Sequence, residues 1–110
     1  MTSGNRWALM HELRGRAELS LDQALARLSP CDIALVEGFK SAPIPKLEVW
    51  RAQVDKPLLH PQDSNIVAIA TDVPTDLPAG AARLTVLSLA DYDAVATFVA
   101  QNARVWRIVD

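Results

Sequence analysis

The central motif of the chain is Asp32-Ile33-Ala34-Leu35-Val36-Glu37-Gly38-Phe39-Lys40. Its apolar run, residues 33–36, predicts a strand that is covered on both faces, as strands of parallel sheets are. Ligands of open α/β sheets bind at the carboxyl ends of strands, which is where Glu37 stands. A carboxylate there can hold Mg²⁺ or one of its waters, and Mg²⁺ in turn holds the phosphates of a nucleotide. The motif therefore predicts a Walker B carboxylate, and a solvated strand end is the alternative.

Two helices are predicted, one on each side of this motif. Ser20 begins the first, because its hydroxyl and the side chain of Gln23 can form a capping box, and Pro30 stops it. Ser88 is predicted to cap the second. Each helix carries apolar residues at the spacing of one buried stripe. These are Leu21, Ala24, Leu25 and Leu28 in the first, and Leu89, Tyr92, Val95, Ala96, Val99 and Ala100 in the second.

Short apolar runs bounded by turn residues predict the remaining strands. Residues 47–51 alternate between apolar and polar, which is typical of a strand with one solvated face. Residues 66–70 form an unbroken apolar run, which indicates a second strand buried on both faces. Shorter candidates lie at 7–13, 84–87 and 105–109. Because strands alternate with helices, the class is α/β with a largely parallel sheet.

Composition limits the classes of protein to which the chain can belong. Its 110 residues suit a single domain over residues 1–110, and half of them are hydrophobic. The net charge of −2 excludes a general nucleic-acid binder, and the single cysteine, Cys31, excludes an internal disulfide. No apolar run approaches the ~20 residues of a membrane span, and the N-terminus lacks the order of a signal peptide. We therefore expect a soluble, cytoplasmic protein that binds neither nucleic acid nor a membrane.

Several motifs in order resemble one family. Val36-Glu37-Gly38-Phe39-Lys40, followed by Pro45-Lys46-Leu47-Glu48-Val49-Trp50-Arg51, is similar to the signature of the molybdopterin-guanine dinucleotide biosynthesis protein B (MobB) family. The stretches 6–14, 56–59 and 66–72 continue the resemblance. It implies a P-loop GTP-binding protein, a weak GTPase, that assists attachment of GMP to the molybdenum cofactor. The implied cofactors are GTP and Mg²⁺, and the implied partners are the guanylyltransferase MobA and the insertase MoeA.

The chain departs from that family at the phosphate loop. The family begins with a strand, a Gly-x-x-x-x-Gly-Lys-Ser/Thr loop and a helix, whereas the four glycines here are Gly4, Gly15, Gly38 and Gly80, and none precedes a lysine. We therefore expect a partial, three-layer P-loop-NTPase-like sheet that lacks the N-terminal strand, phosphate loop and helix. Such a chain is a truncation, a split protein or a degenerate paralogue. It is expected to pair with a second copy or with a missing N-terminal segment, and alone to bind no GTP and to catalyse no reaction.

The candidate site residues follow from the motif and from the resemblance. Glu37 is the candidate metal ligand, and together with Gly38, Lys40, Lys46 and Asp72 it forms the candidate cofactor-binding set. The two lysines could meet a nucleotide phosphate or the pterin phosphate, and ordinary surface lysines are the alternative. Asp72 could accept the N–H groups of guanine, although a turn aspartate is the more common role.

We assign structural or exposed positions to His11 and His60, and we expect Cys31 to pack as a small hydrophobe.

Two functions remain open from the sequence. The first is a nucleotide-linked accessory protein of molybdenum cofactor biosynthesis. The alternative is a non-catalytic interaction module that docks a molybdenum-cofactor enzyme or its own missing N-terminal half.

Overall fold

A three-stranded parallel sheet organises the fold. The computed structural model describes residues 4–6, 8, 10, 12–54, 56–77 and 80–106. The elements, in chain order, are α1 (Leu21–Ala26), β1 (Lys46–Trp50), β2 (Ile66–Thr71), β3 (Thr85–Ser88) and α2 (Tyr92–Asn102), with single 3₁₀ turns at His60–Gln62 and Ala81–Arg83. The strands lie in the order β1-β2-β3, and both pairs are parallel. The predicted α/β class with a parallel sheet is therefore confirmed.

The core is built around β2, which lies between the other two strands. Ile69 is fully buried and packs with Ala81 and Leu84, and the partly buried side chains Trp50, Leu58 and Leu77 surround this cluster. The apolar run that predicts β2 is long enough to form a full strand of the sheet. β1 and β3 each form hydrogen bonds with the backbone along one edge of β2. β2 is thus the predicted strand that the structure confirms most fully.

The first helix is shorter than its apolar stripe predicts. The capping box is present, since Gln23 N–H donates to Ser20 Oγ over 3.2 Å and Ser20 N–H donates to Gln23 Oε1 over 2.9 Å. The helix ends at Ala26, well before Pro30, and Leu28 is 53% exposed. The expectation that Leu28 joins a buried stripe was wrong, because the helix is over before that position is reached.

The second helix begins later than predicted. Its N-cap is Asp91, whose carboxylate accepts the N–H of Ala94 over 3.0 Å, while Ser88 is the last residue of β3. The predicted apolar stripe was wrong at Tyr92, Ala96 and Ala100, which are exposed, Tyr92 to 80%. The half-buried face of the helix is formed by Ala94, Val95, Phe98 and Val99. The predicted cap at Ser88 was wrong, because the strand takes up the residues that the helix was expected to use.

The apolar run at 33–36 does not form the predicted strand. Residues 31–39 have no regular secondary structure and are exposed throughout, with Leu35 79% exposed. A strand buried on both faces needs a hydrogen-bonded neighbour and a covering layer on each side, and the described sheet gives this run neither. Cys31 is exposed as well, so the expectation that it packs as a small hydrophobe was also wrong.

The two terminal strand candidates are also unsupported within the described residues. At the N-terminus, residues 8, 10, 12 and 13 lie outside any strand, and Trp7, Leu9 and His11 lie outside the description. At the C-terminus, Val105 and Trp106 are not in a strand, and residues 107–110 lie outside the description.

The three-stranded sheet is compatible with part of a P-loop-like fold. No helix in the described part of the chain combines the length and apolar character needed to cross a membrane.

Candidate functional site

Glu37 lies on an exposed segment of irregular backbone, so the prediction that it follows a buried strand was wrong. No hydrogen bond or ion pair joins its carboxylate to another residue that the structure describes. We call Glu37–Lys40 the Glu37 loop. The Glu37 carboxylate makes no contact that stabilises the described part of the fold, so it can bind a cation or accept a hydrogen bond from a group outside the described residues.

The backbone turns sharply directly after Glu37. Gly38 has a φ of +82° and Phe39 a φ of +49°, both in the left-handed region. Glycine takes this conformation without a steric penalty, whereas a bulky residue there costs on the order of 1–3 kcal/mol. A left-handed phenylalanine persists only where surrounding contacts hold it. The Ala42 N–H, which donates to the Phe39 carbonyl over 2.9 Å, is one such contact.

The two candidate lysines have different surroundings. The side chain of Lys40 is exposed and makes no hydrogen bond or ion pair within the described part of the chain. The ammonium of Lys46 donates to Asp63 Oδ2 over 2.7 Å and to the backbone carbonyl of Lys40. Lys46 is largely covered, with 18% of its side chain exposed. The structure therefore brings Lys46 to the backbone of the Glu37 loop and leaves the ammonium of Lys40 in solvent.

Asp63 completes this arrangement from the segment that precedes β2. Its Oδ1 accepts the N–H of Asn65 over 2.9 Å. The hydrogen bond from Lys46, and then that from Asn65, hold the pKa of the Asp63 carboxyl below its ordinary value. The carboxyl therefore stays charged into acidic solution, and the ion pair with Lys46 persists there.

We expect this pair to give the fold an acid-sensitive component. A carboxyl whose pKa is lower in the folded state stabilises the fold above its unfolded pKa, and that contribution is lost as the pH falls through the folded value. Stability should therefore decline below about pH 4, the ordinary range of an aspartate, and Asp63→Asn should flatten that decline. Urea denaturation between neutral pH and pH 3 measures it, with the exposed Asp76→Asn as control. If Asp63→Asn keeps the parent's full decline, the assignment is contradicted.

Asp72 follows β2 at the carboxyl end of the sheet and is exposed. Its Oδ1 accepts the N–H of Ala52 over 3.1 Å, which links the ends of β1 and β2. Oδ2 has no hydrogen-bond partner among the described residues. Asp72 therefore acts as a turn residue through one oxygen and has the other available to a ligand. No hydrogen bond or ion pair within the described residues joins Asp72 to Glu37.

Sequence reasoning missed a buried polar cluster beneath β1. Glu48 is 8% exposed, although the alternation in β1 predicts it on the solvated face, and Val49 is 61% exposed instead. The Glu48 carboxylate accepts the backbone N–H of Leu59 and, over 3.1 Å, that of His60. Glu48 and Val49 are thus the reverse of what the alternation predicts, while Leu47 and Trp50 are both half-buried. Alternation reveals that two faces differ and does not reveal which one the loops cover.

The polar cluster continues to the far side of the loop before β2. The Arg83 guanidinium donates to the carbonyl of His60 over 2.8 Å and to that of Ile66 over 3.2 Å. His60 is buried, and neither ring nitrogen has a hydrogen-bond partner in the described part of the chain. The buried position of His60 is consistent with the structural role, one of the two alternatives that were expected for it. The cluster fixes the backbone of residues 59–66, and no signal local to Glu48 or Arg83 predicts it.

The described residues meet part of what a magnesium nucleotide requires. Mg²⁺ is bound by one or two carboxylates together with phosphate oxygens, and Glu37 offers one unengaged carboxylate. No group of three or more histidine, cysteine or acidic residues within the described residues could hold a metal ion without further ligands. Lys40 adds one positive charge suited to a phosphate. The chemistry of Glu37 and Lys40 suits one side of such a site.

A family model described as molybdopterin guanine dinucleotide synthesis protein B (MobB) matches residues 1–72. This range includes the Glu37 loop, β1 and β2 and ends at Asp72. No solved structure matches the chain.

Two curated relatives extend the similarity beyond that range, and each is named molybdopterin-guanine dinucleotide biosynthesis adapter protein. The protein of Escherichia coli K12 is 34% identical over 104 residues, which cover 92% of this chain and 57% of the relative. The protein of Haemophilus influenzae is 38% identical over 79 residues, which cover 70% of this chain and 43% of the relative. The chain spans about half the length of these relatives.

Proposed function

The chain belongs to the MobB family, and from this premise we propose that it acts as an adapter in the biosynthesis of molybdopterin guanine dinucleotide. The observation that carries the proposal is the family match over residues 1–72, because it contains both the Glu37 loop and the first two strands of the sheet, β1 and β2. The names of the two curated relatives support the same role.

In the complete assembly, this chain would supply part of a site for GTP and Mg²⁺. Glu37 would give a carboxylate oxygen to the metal, and Lys40 would neutralise phosphate charge. The free oxygen of Asp72 would accept an N–H of guanine. The phosphate loop would come from another segment or another chain. Three features support these roles: the unengaged Glu37 carboxylate, the left-handed turn at Gly38 and the exposed Lys40 ammonium.

A second candidate is a non-catalytic module that docks a molybdenum-cofactor enzyme or a missing N-terminal half. The exposed apolar residues of the segment before the Glu37 loop favour it, since Ile33 is 43% and Leu35 79% exposed. Exposed apolar surface of this kind is typical of interaction sites. The guanylyltransferase MobA, the insertase MoeA and a second copy of the chain are the partners that we propose.

The variant Glu37→Gln separates the two candidates. It keeps the shape of the side chain and removes the charge on which metal affinity depends. With a phosphate-loop segment supplied, joined to the chain or as a second chain, we expect GTP–Mg²⁺ to strengthen binding to purified guanylyltransferase. We expect Glu37→Gln to weaken that nucleotide-dependent part at least about tenfold, the loss seen even for outer-shell partners of metals. Binding is measured by titration with and without GTP–Mg²⁺. The exposed Glu18→Gln serves as control and should match the parent.

Each outcome of this titration favours one candidate. Binding that is equally tight without nucleotide and unchanged by Glu37→Gln would contradict the nucleotide site and support the docking module. Absence of binding to both guanylyltransferase and insertase would contradict the adapter role. GTP hydrolysis by the chain alone that depends on Glu37 would contradict the need for an added phosphate loop.

A further inference from the structure

Lys46 connects the Glu37 loop to the sheet. It is the first residue of β1, and its own N–H donates to the carbonyl of Asn65 over 2.9 Å. From this fixed position its ammonium reaches two acceptors, Asp63 Oδ2 and the Lys40 carbonyl. A lysine with two of its three N–H donors engaged and most of its side chain covered is poorly placed to receive a phosphate as well.

Asp63 is itself held on its other side. Its Oδ1 accepts the N–H of Asn65, and its backbone N–H donates to the carbonyl of His60 over 3.3 Å. The carboxylate therefore has a fixed position relative to the start of β2. An ammonium that pairs with it is fixed too, and this orients the remaining donors of Lys46 toward the Glu37 loop.

The Glu37 loop depends on such a contact, because it carries strain without the support of a strand. Phe39 is left-handed, and residues 31–39 have no regular secondary structure. Side-chain hydrogen bonds reach residues 37–44, as far as the structure describes them, from Lys46 to the Lys40 carbonyl and from Arg104 to the Pro43 carbonyl over 3.0 Å. Lys46 provides the contact that touches the Glu37 loop itself.

We propose that Lys46 is a positioning residue: its ion pair with Asp63 holds the ammonium against the Lys40 carbonyl and so fixes the Glu37 loop on the sheet. Lys40 is then the lysine that meets an anion, and this second statement rests on the nucleotide site proposed above. The sequence places both lysines in the candidate cofactor-binding set without separating their roles. The proposal assigns positioning to Lys46 and anion binding to Lys40.

Hydrogen exchange of the nucleotide-free protein tests the positioning role. The amides to follow are those of Ala42 and Ile44, whose N–H groups donate to the carbonyls of Phe39 and Ala42. Loss of one anchoring hydrogen bond should make exchange of these amides about fivefold faster. We expect that increase in Lys46→Met and Asp63→Asn, and we expect a smaller increase at Ile69 and Ala70 in β2, which reflects only the share of the ion pair in global stability.

Two further variants sharpen this test. Lys46→Arg should restore most of the protection, since a guanidinium can donate to both acceptors, and Asp76→Asn should have no effect. Unchanged exchange at Ala42 and Ile44 in Lys46→Met would overturn the proposal. Equal acceleration in β2 would also overturn it, because Lys46 would then act on the Glu37 loop only through the stability of the whole fold.

The titration with guanylyltransferase and GTP–Mg²⁺ tests the division between the two lysines. Lys40→Met should weaken the nucleotide-dependent binding with no change in exchange, while Lys46→Arg should keep both near the parent's values. If Lys40→Met binds like the parent and Lys46→Arg loses binding with normal exchange, Lys46 is the direct ligand and the division is wrong. Failure of the adapter role leaves the exchange result intact, so the two failures are distinguishable.

Discussion

Replacing Ile69 by alanine should lower the free energy of unfolding by about 2–5 kcal/mol, the range for large-to-small changes at fully buried positions. Ile69 has no exposed surface, lies in the central strand and packs in the main apolar cluster. Small domains have a total stability of about 5–15 kcal/mol, so this loss is a large share of it. Urea denaturation followed by far-ultraviolet circular dichroism measures the change.

Val49→Ala is the matched control for that prediction, because it also shortens a branched side chain in a strand. Val49 is 61% exposed, so it should cost less than about 1 kcal/mol, mainly through strand propensity. Equal losses in the two variants would mean that β2 does not form the centre of the core. The fold predicts that Ile69→Ala loses more unfolding free energy than Val49→Ala, and this difference is the quantity to compare.

The contrast between β2 and residues 33–36 shows where prediction from the sequence ends. Both are unbroken apolar runs next to turn residues, and both predict a buried parallel strand. β2 has a strand on either side of it, whereas the run at 33–36 has none within the described structure. An apolar run encodes a preference for burial, and burial also requires a neighbour that the run itself cannot specify.

Signals from neighbouring residues predicted the structure correctly where no distant part of the chain competed for the same residues. The capping box of Ser20 and Gln23 depends on residues three apart, and it is present. For α2 the sequence predicts Ser88 as the N-cap, but pairing of β3 with β2 places Ser88 in a strand, and Asp91 caps the helix instead. The position of the cap therefore depends on a strand pairing that involves residues far away in the chain.

The sequence motif names candidate site residues but does not give the contacts around them. Glu37, Gly38 and Lys40 are close together in the sequence, so a motif can reveal them together. The ion pair of Lys46 and Asp63 joins residues 17 positions apart, and no pattern along the chain connects them. The burial of Glu48 has the same origin, because its partners belong to a loop that only the folded sheet brings near.

Glu48→Ala should destabilise the fold by about 2–4 kcal/mol, although a glutamate in an alternating strand is ordinarily an inexpensive residue to replace. The change leaves the backbone N–H groups of Leu59 and His60 without their acceptor, and a buried unpaired donor costs about 1–3 kcal/mol. The exposed Glu18→Ala removes the same charge and should stay within about 0.5 kcal/mol of the parent. Urea denaturation of the three proteins at neutral pH gives the comparison.

Hydrogen exchange locates the same effect within the structure. In Glu48→Ala the amides of Leu59 and His60 should lose more protection than those of Ala42 and Ile44, because Glu48 holds the loop before β2 and Lys46 holds the Glu37 loop. If Glu48→Ala is no more damaging than Glu18→Ala, the Glu48 carboxylate is solvated and β1 presents its other face to the core. A large loss confined to Glu48→Ala would instead establish that a buried carboxylate, and not an apolar side chain, attaches the loop before β2 to the sheet.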